Sequence, residues 1–167
     1  MAIGEILSTL RPVPSDWILM RGLVREQRHW GDFPTILAHE LGARVHTIDI
    51  PGAGNQHLET CPSSVPGIAE HVRARWLTLR AETGRAHGDT RWGLLGVSLG
   101  GMISMAWAAA HPADFTRVVL ANTSASNAGK PWDRMQPRAR LGVARGFFAR
   151  VRVERERIVL DTTVRLV

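Results

Sequence analysis

Gly96-Val97-Ser98-Leu99-Gly100 sets one serine between two glycines in the pattern G-x-S-x-G. That spacing is the requirement of a nucleophile elbow. A serine that leaves a strand in a strained turn lifts its hydroxyl clear of the sheet. Glycines two before and two after it let neighbouring backbone pass without a Cβ clash. A helix that starts at Leu99 aims its free N–H groups at the reacting centre. Ser98 is therefore the candidate nucleophile. The same five residues also fit a Gly-rich strand–helix turn with no chemistry, so the flanking segments must distinguish the two.

The flanks are of the right kind. Trp92 to Val97 is a short apolar run, as a buried parallel strand shows. Leu99 to Ala110 is apolar, with four alanines and no proline, and reads as a buried helix. Asp16 to Met20 (DWILM) reads as an earlier strand, and Ile3 to Leu10 as an edge strand before Pro12 and Pro14. Asp32 is placed to cap a helix with Pro34 in its first turn and Gly42 at its end. Arg44 to Ile50 predicts the next strand. Ser64 and Pro66 predict the start of a helix carrying Val65, Ile68, Val72, Trp76 and Leu79 at spacings of three and four, stopped by Gly84. Arg117 to Ala121 is a further strand. The resulting order β-α-β-α-β-α-β predicts a doubly wound, mostly parallel sheet with helices on both faces. After Asn122 the pattern changes. Residues 123–132 read as a linker, and Leu141, Ala144, Phe147, Phe148 and Val151 line one side of an arginine-rich amphipathic helix. The expected division is 1–124 for the sheet and 125–167 for linker and helices.

Composition narrows the partners. With 167 residues and 44% hydrophobic side chains, the chain has the length of one domain and the makeup of a packed core. The net charge of +6 is not spread over it. Residues 1–133 hold 12 Lys+Arg against 12 Asp+Glu, and residues 134–167 hold 9 Arg against Glu154, Glu156 and Asp161. A solvated helix face accounts for that segment better than a nucleic-acid surface. Cys61 is the one cysteine, so neither an intrachain disulfide nor a cysteine metal site is available, and a cytoplasmic setting is expected. No run of 18 apolar residues spans a membrane. Gly52-Ala53-Gly54 follows a strand as a dinucleotide loop would, but His57 holds the third glycine's place and Cys61-Pro62 interrupts any helix. Gly96 to Gly101 lacks the Lys-Ser/Thr of a phosphate-binding loop. No cofactor and no metal is expected.

Four segments together resemble the α/β-hydrolase family, in its cap-bearing serine esterase-like branch. Arg21-Gly22-Leu23 is similar to the family's His-Gly oxyanion loop, with Arg in place of His. Asp49-Ile50-Pro51-Gly52-Ala53-Gly54-Asn55 is similar to its D-x-P-G-x-G-x-S loop, with Asn in place of Ser. Gly96 to Gly101 matches the elbow, and His111-Pro112 through Asn122 resembles the strand that follows it. The resemblance covers about residues 16–124. It implies acyl transfer by Ser98 through an acyl-enzyme. It also implies an oxyanion hole from the backbone N–H groups of Leu23 and Leu99. The implied substrate is a small-molecule carboxylic ester or thioester. The segment after Lys130 resembles the start of a cap lining the acyl pocket, with Trp30 and Met102 as further candidates for that lining.

The chain also departs from the family. The family's triad runs Ser, then Asp/Glu, then His, and its acid and base lie beyond the cap. This chain stops at Val167, so the expectation is a C-terminally truncated hydrolase fold with triad acid and base missing. Asp133 is a candidate substitute acid. His111 sits 12 residues past Leu99, about 18 Å along the helix, too far to act as base. His29, in the loop after the first strong strand, is the one histidine expected near the sheet's catalytic edge. The alternative to an enzyme is an inactive hydrolase-fold fragment acting as an interaction module. With nothing strand-like after Arg117–Ala121, that strand is expected to be an open apolar edge that favours self-association.

Overall fold

The computed structural model describes residues 13–83 and 91–125. The expected edge strand at 3–10, Gly84, His87, Asp133 and the helices after Lys130 lie outside the described residues. The chain divides into two units, Met1–Thr123 and Ser124–Val167. The first unit holds the sheet and its helices.

Among the described residues four strands and three α-helices alternate: β1 (Asp16–Met20), α1 (Phe33–Leu41), β2 (Arg44–Thr47), α2 (Val65–Glu82), β3 (Trp92–Val97), α3 (Leu99–Ala110) and β4 (Arg117–Ala121). All pairings are parallel, in the order β2-β1-β3-β4. The chain thus winds outward from β1 to β2 in one direction and from β3 to β4 in the other. The reversal falls between β1 and β3, where ligands of open α/β sheets bind, beyond the carboxyl ends of the strands. Register brings those ends level: Met20 pairs with Gly96, and Val97 with Ala121.

The packing follows from side-chain alternation along β1, all five of whose residues are buried. Ile18 and Met20 face a core of Trp76 and Val72 from α2, Ile103 and Trp107 from α3, and Trp92, Leu94 and Phe115. Trp76 is its centre, with its ring edge-on to Trp92 at 5.8 Å and to Trp107 at 5.6 Å, and Phe115 at 5.5 Å. A buried polar tie secures the same region. Asp114 accepts from the Trp107 indole at 2.8 Å and from Arg73 Nε at 2.7 Å, joining α2 to the turn after α3. The Asp114 carboxylate raises the Arg73 pKa against the opposing effect of burial.

Helix ends behave largely as their residues predict. Ser64 Oγ accepts from the Gly67 N–H at the start of α2. Gly42 ends α1 in the left-handed region, at φ 58°. Asp32 does stand at the first cap of α1, but its side chain accepts no hydrogen bond there. Its carbonyl accepts the Ile36 N–H as any cap carbonyl does, while its backbone is helical at φ −81° and ψ −4°. The second strand is shorter than expected, ending at Thr47 rather than Ile50. The reason is Asp49, whose buried carboxylate turns to accept the N–H groups of Gln27 at 2.6 Å and Asn55 at 3.0 Å. That bond set pulls the backbone out of the ladder and fixes two loops to each other.

Candidate active site

Ser98 sits between the last residue of β3 and the first of α3, at φ 56° and ψ −119°. For a residue with a Cβ this is strained backbone, of the kind that persists only where surrounding bonds enforce it. Those bonds are present. The Ser98 N–H donates to the Ala121 carbonyl at 3.0 Å. Its carbonyl accepts from the N–H groups of Gly101 and Met102 at 3.0 and 3.1 Å, and from the Thr123 hydroxyl at 2.8 Å. Both the following helix and the end of β4 therefore clamp the serine, and its side chain stands exposed.

The two flanking glycines are there for space. A Cβ on Gly100 would lie 2.5 Å from the Met20 carbonyl oxygen and 2.6 Å from that of Arg21. A Cβ on Gly96 would strike the Ser104 hydroxyl and the Gly100 carbonyl. The helix start can only come this close to β1 and β3 without those side chains.

The β1 loop reaches the serine. A Cβ on Gly22 would stand 2.8 Å from Ser98 Cβ and 3.2 Å from its hydroxyl oxygen. Gly22 is thus in contact with Ser98, and the peptide joining it to Leu23 borders the site. The loop then turns sharply: the Arg25 N–H donates to the Gly22 carbonyl at 3.2 Å, and Val24 adopts φ 59°. Leu23 is 62% exposed. Leu99, in the first turn of α3, has an N–H that no intrahelical carbonyl can take. Met102 is partly exposed on the same helix, and Trp30 is buried below the loop.

No histidine joins this group among the described residues. His29 is exposed, and its Nδ1 accepts from the Glu26 N–H at 3.1 Å, closing a 3-10 turn over Gln27–Trp30. His111 ends α3 and pairs with Glu70 at 2.8 Å. His46 lies 3.4 Å from Asp16 and tilts over Trp92. Among the described residues no side chain hydrogen-bonds the Ser98 hydroxyl.

Two parts of the site escaped the sequence. One is the Thr123 clamp, for which a threonine just past a strand gives no signal. The other is Arg21. Its guanidinium lies over the Trp30 ring at 4.7 Å, and its Nε is buried without a hydrogen bond. Burial, and then the charge of Arg25, lower its pKa. The signal for it was the arginine standing where the resembled family has histidine.

Comparison with known proteins agrees with the geometry. Residues 25–165 match the family model described as alpha/beta hydrolase fold. The match begins just after the Arg21-Gly22-Leu23 loop. No curated protein matches the chain. Among solved structures, a thermostable carboxyl esterase from Bacillus coagulans in complex with glycerol superposes with TM-score 0.56 at 18% identity, over 81% of this chain and 41% of that one. The RedJ thioesterase of the prodiginine biosynthetic pathway in Streptomyces coelicolor gives TM-score 0.58 at 16% identity, over 77% and 49%. A marine microorganism esterase gives 0.53 at 16%, over 90% and 55%. These likenesses bear on the fold alone, and the chain spans about half the length of each or less. Parallel sheet order, strained elbow and family match coincide on one conclusion: the chain belongs to the α/β-hydrolase fold family.

Proposed function

We propose that this chain carries the nucleophile and oxyanion-hole portion of a serine hydrolase that cleaves a carboxylic ester or a thioester. The observation that carries it is the strained, clamped Ser98 with Gly22 against it. In this proposal Ser98 Oγ attacks the acyl carbon and its proton is removed. The tetrahedral oxyanion rests on the N–H groups of Leu23 and Leu99. Collapse breaks the C–O or C–S bond, the leaving group departs with a proton, and water then hydrolyses the acyl-enzyme. The two substrate classes are those for which the solved neighbours are named. A single free, exposed Cys61 fits a reducing, cytoplasmic setting. Among the described residues, no helix is long and apolar enough to cross a membrane.

The lack of a base beside Ser98 among the described residues favours a second reading, a hydrolase-fold interaction module with little turnover. Hydrolysis of 4-nitrophenyl acyl esters and of acyl-pantetheine thioesters, by the chain and by its Ser98→Ala variant, separates the two. Turnover of either class that disappears with Ser98→Ala supports the hydrolase. Turnover untouched by that substitution, or none with either class, leaves the module.

A further inference from the structure

Arg21 is placed at the junction between β1 and the loop that borders Ser98. Its carbonyl packs against Gly100, and the next residue, Gly22, touches Ser98. Its backbone therefore lies next to the reactive centre, which is within the length of an arginine side chain. The guanidinium is held in a defined position. It lies over the Trp30 ring, which is itself stacked on Phe33 at 5.4 Å with 20° between the planes. An aromatic face offsets part of the cost of removing a cation from water, but it supplies no acceptor for the guanidinium's N–H fork.

The neighbouring charges do not supply one either. Glu26 is committed to Arg28, at 2.7 Å in an ion pair. Asp49 is committed to the backbone N–H groups of Gln27 and Asn55. Arg25, the next basic group in the loop, adds a like charge to that of Arg21. Among the described residues, neither Arg21 nor Arg25 is paired with a carboxylate. A guanidinium partly withdrawn from water, with a second one beside it and no counter-ion, is an arrangement that costs stability. A bound oxyanion relieves that cost, and planar arginine forks bind carboxylate and phosphate oxygens well.

We propose that Arg21, seconded by Arg25, binds an oxyanion carried by the substrate, so that the site selects acyl esters or thioesters bearing a carboxylate or a phosphate close to the scissile group. This rests on Ser98 being the reactive centre, and it adds a specificity-determining residue to that reading. The shared chemistry is a tetrahedral or planar oxyanion. A carboxylate would come with the acyl part, and a phosphate with the leaving group.

The test reads binding and not turnover, so that it can fail separately from the hydrolase proposal. The chain carrying Ser98→Ala is titrated calorimetrically with two matched pairs: monomethyl against dimethyl glutarate, and 2-phosphoethyl butyrate against 2-hydroxyethyl butyrate. The charged member of one pair is expected to bind roughly 10- to 100-fold more tightly than its neutral partner, the range for charge-assisted hydrogen bonds. The pair that shows the preference identifies carboxylate or phosphate as the source. Arg21→Gln is expected to abolish the preference and Arg25→Gln to weaken it. Arg28→Gln, whose arginine is held by Glu26, is the control expected to leave it unchanged. Should Arg21→Gln fold poorly, the Nε–H resonance of Arg21 in the otherwise native chain gives the same answer, since it must shift on addition of the charged ligand. Equal or absent binding of charged and neutral members, or a preference that survives Arg21→Gln, overturns the proposal.

Discussion

Gly22 lies directly against Ser98, so that any Cβ placed on it would stand 2.8 Å from the serine's own Cβ. Two segments 76 positions apart in the chain meet at that point because Met20 and Gly96 pair at the ends of adjacent strands. The contact brings the β1 loop against the strained turn.

Gly22→Ala is accordingly a test of position at the site. The added methyl must push Ser98 away, and overpacking of this kind costs about 1–3 kcal/mol. A displacement near 1 Å lowers the rate of a positioned reaction by about 100-fold. Ser98-dependent hydrolysis is therefore expected to fall by about 100-fold in a chain that still folds, with both read on the same preparation by ester turnover and urea unfolding. Activity equal to that of the parent chain would show that the loop does not border the reacting centre.

Gly100→Ala should act differently. Its Cβ would meet the carbonyl oxygens of Met20 and Arg21, which belong to the backbone and cannot rotate away. The expected outcome is a loss of stability at or above the upper end of the same range, about 3 kcal/mol. Denaturant midpoints for the two variants give the comparison, and an unchanged midpoint for Gly100→Ala would contradict the packing described.

Asp16 supplies a pH signature. It is buried, which by itself would raise its pKa, yet hydrogen bonds from Arg44, Ser15 and His46 and the charge of Arg44 outweigh burial and lower it. A carboxyl whose pKa is lower in the folded state contributes stability above its unfolded pKa, near 4, and that contribution disappears as pH falls through the folded value. Asp16→Asn should cost about 2 kcal/mol at pH 7, the range for a hydrogen bond to a charged group. The difference between variant and parent should narrow steadily below about pH 4. Urea unfolding from pH 7 to pH 2.5 measures it, and a difference independent of pH would show that the Asp16 charge does not stabilise the fold.

Strand β4 is a terminal strand of the described sheet, and its side chains are exposed on both faces: Val118 at 37%, Val119 at 42% and Leu120 at 42%. An apolar edge without a central charge is a template for pairing. The purified chain is expected to self-associate in sedimentation velocity runs, and Val119→Lys to shift it toward monomer. A monomeric parent chain with strong hydrogen-exchange protection across Arg117–Ala121 would show that the edge is covered.

What the sequence disclosed and what it hid divide along contact range. The elbow, β1, β3, β4, and the Ser64 and Gly42 ends of α2 and α1 were legible, because each depends on local spacing, a cap or an apolar run. The early end of β2 was not, because it depends on Asp49 binding Gln27, 22 positions away. The same holds for Arg44 reaching Asp16 across 28 positions, and for the Arg21 guanidinium coming to rest on Trp30. The Asp32 cap was legible in its position but not in its bonding. Aspartate suits that position, but its backbone there is helical, at φ −81° and ψ −4°, where an accepting cap is extended.

Whether Ser98 is a reactive nucleophile held by its strained turn is read by a fluorophosphonate probe and peptide mass spectrometry. Without a base among the described residues, what remains is the roughly 10³–10⁴-fold advantage over water that binding and an oxyanion hole retain. One slow adduct per chain is therefore expected, on the peptide containing Ser98, lost with Ser98→Ala and lost again when the chain is unfolded in urea. A folded chain that gains no adduct at Ser98 after prolonged exposure, or that labels no faster than the unfolded chain, would contradict it.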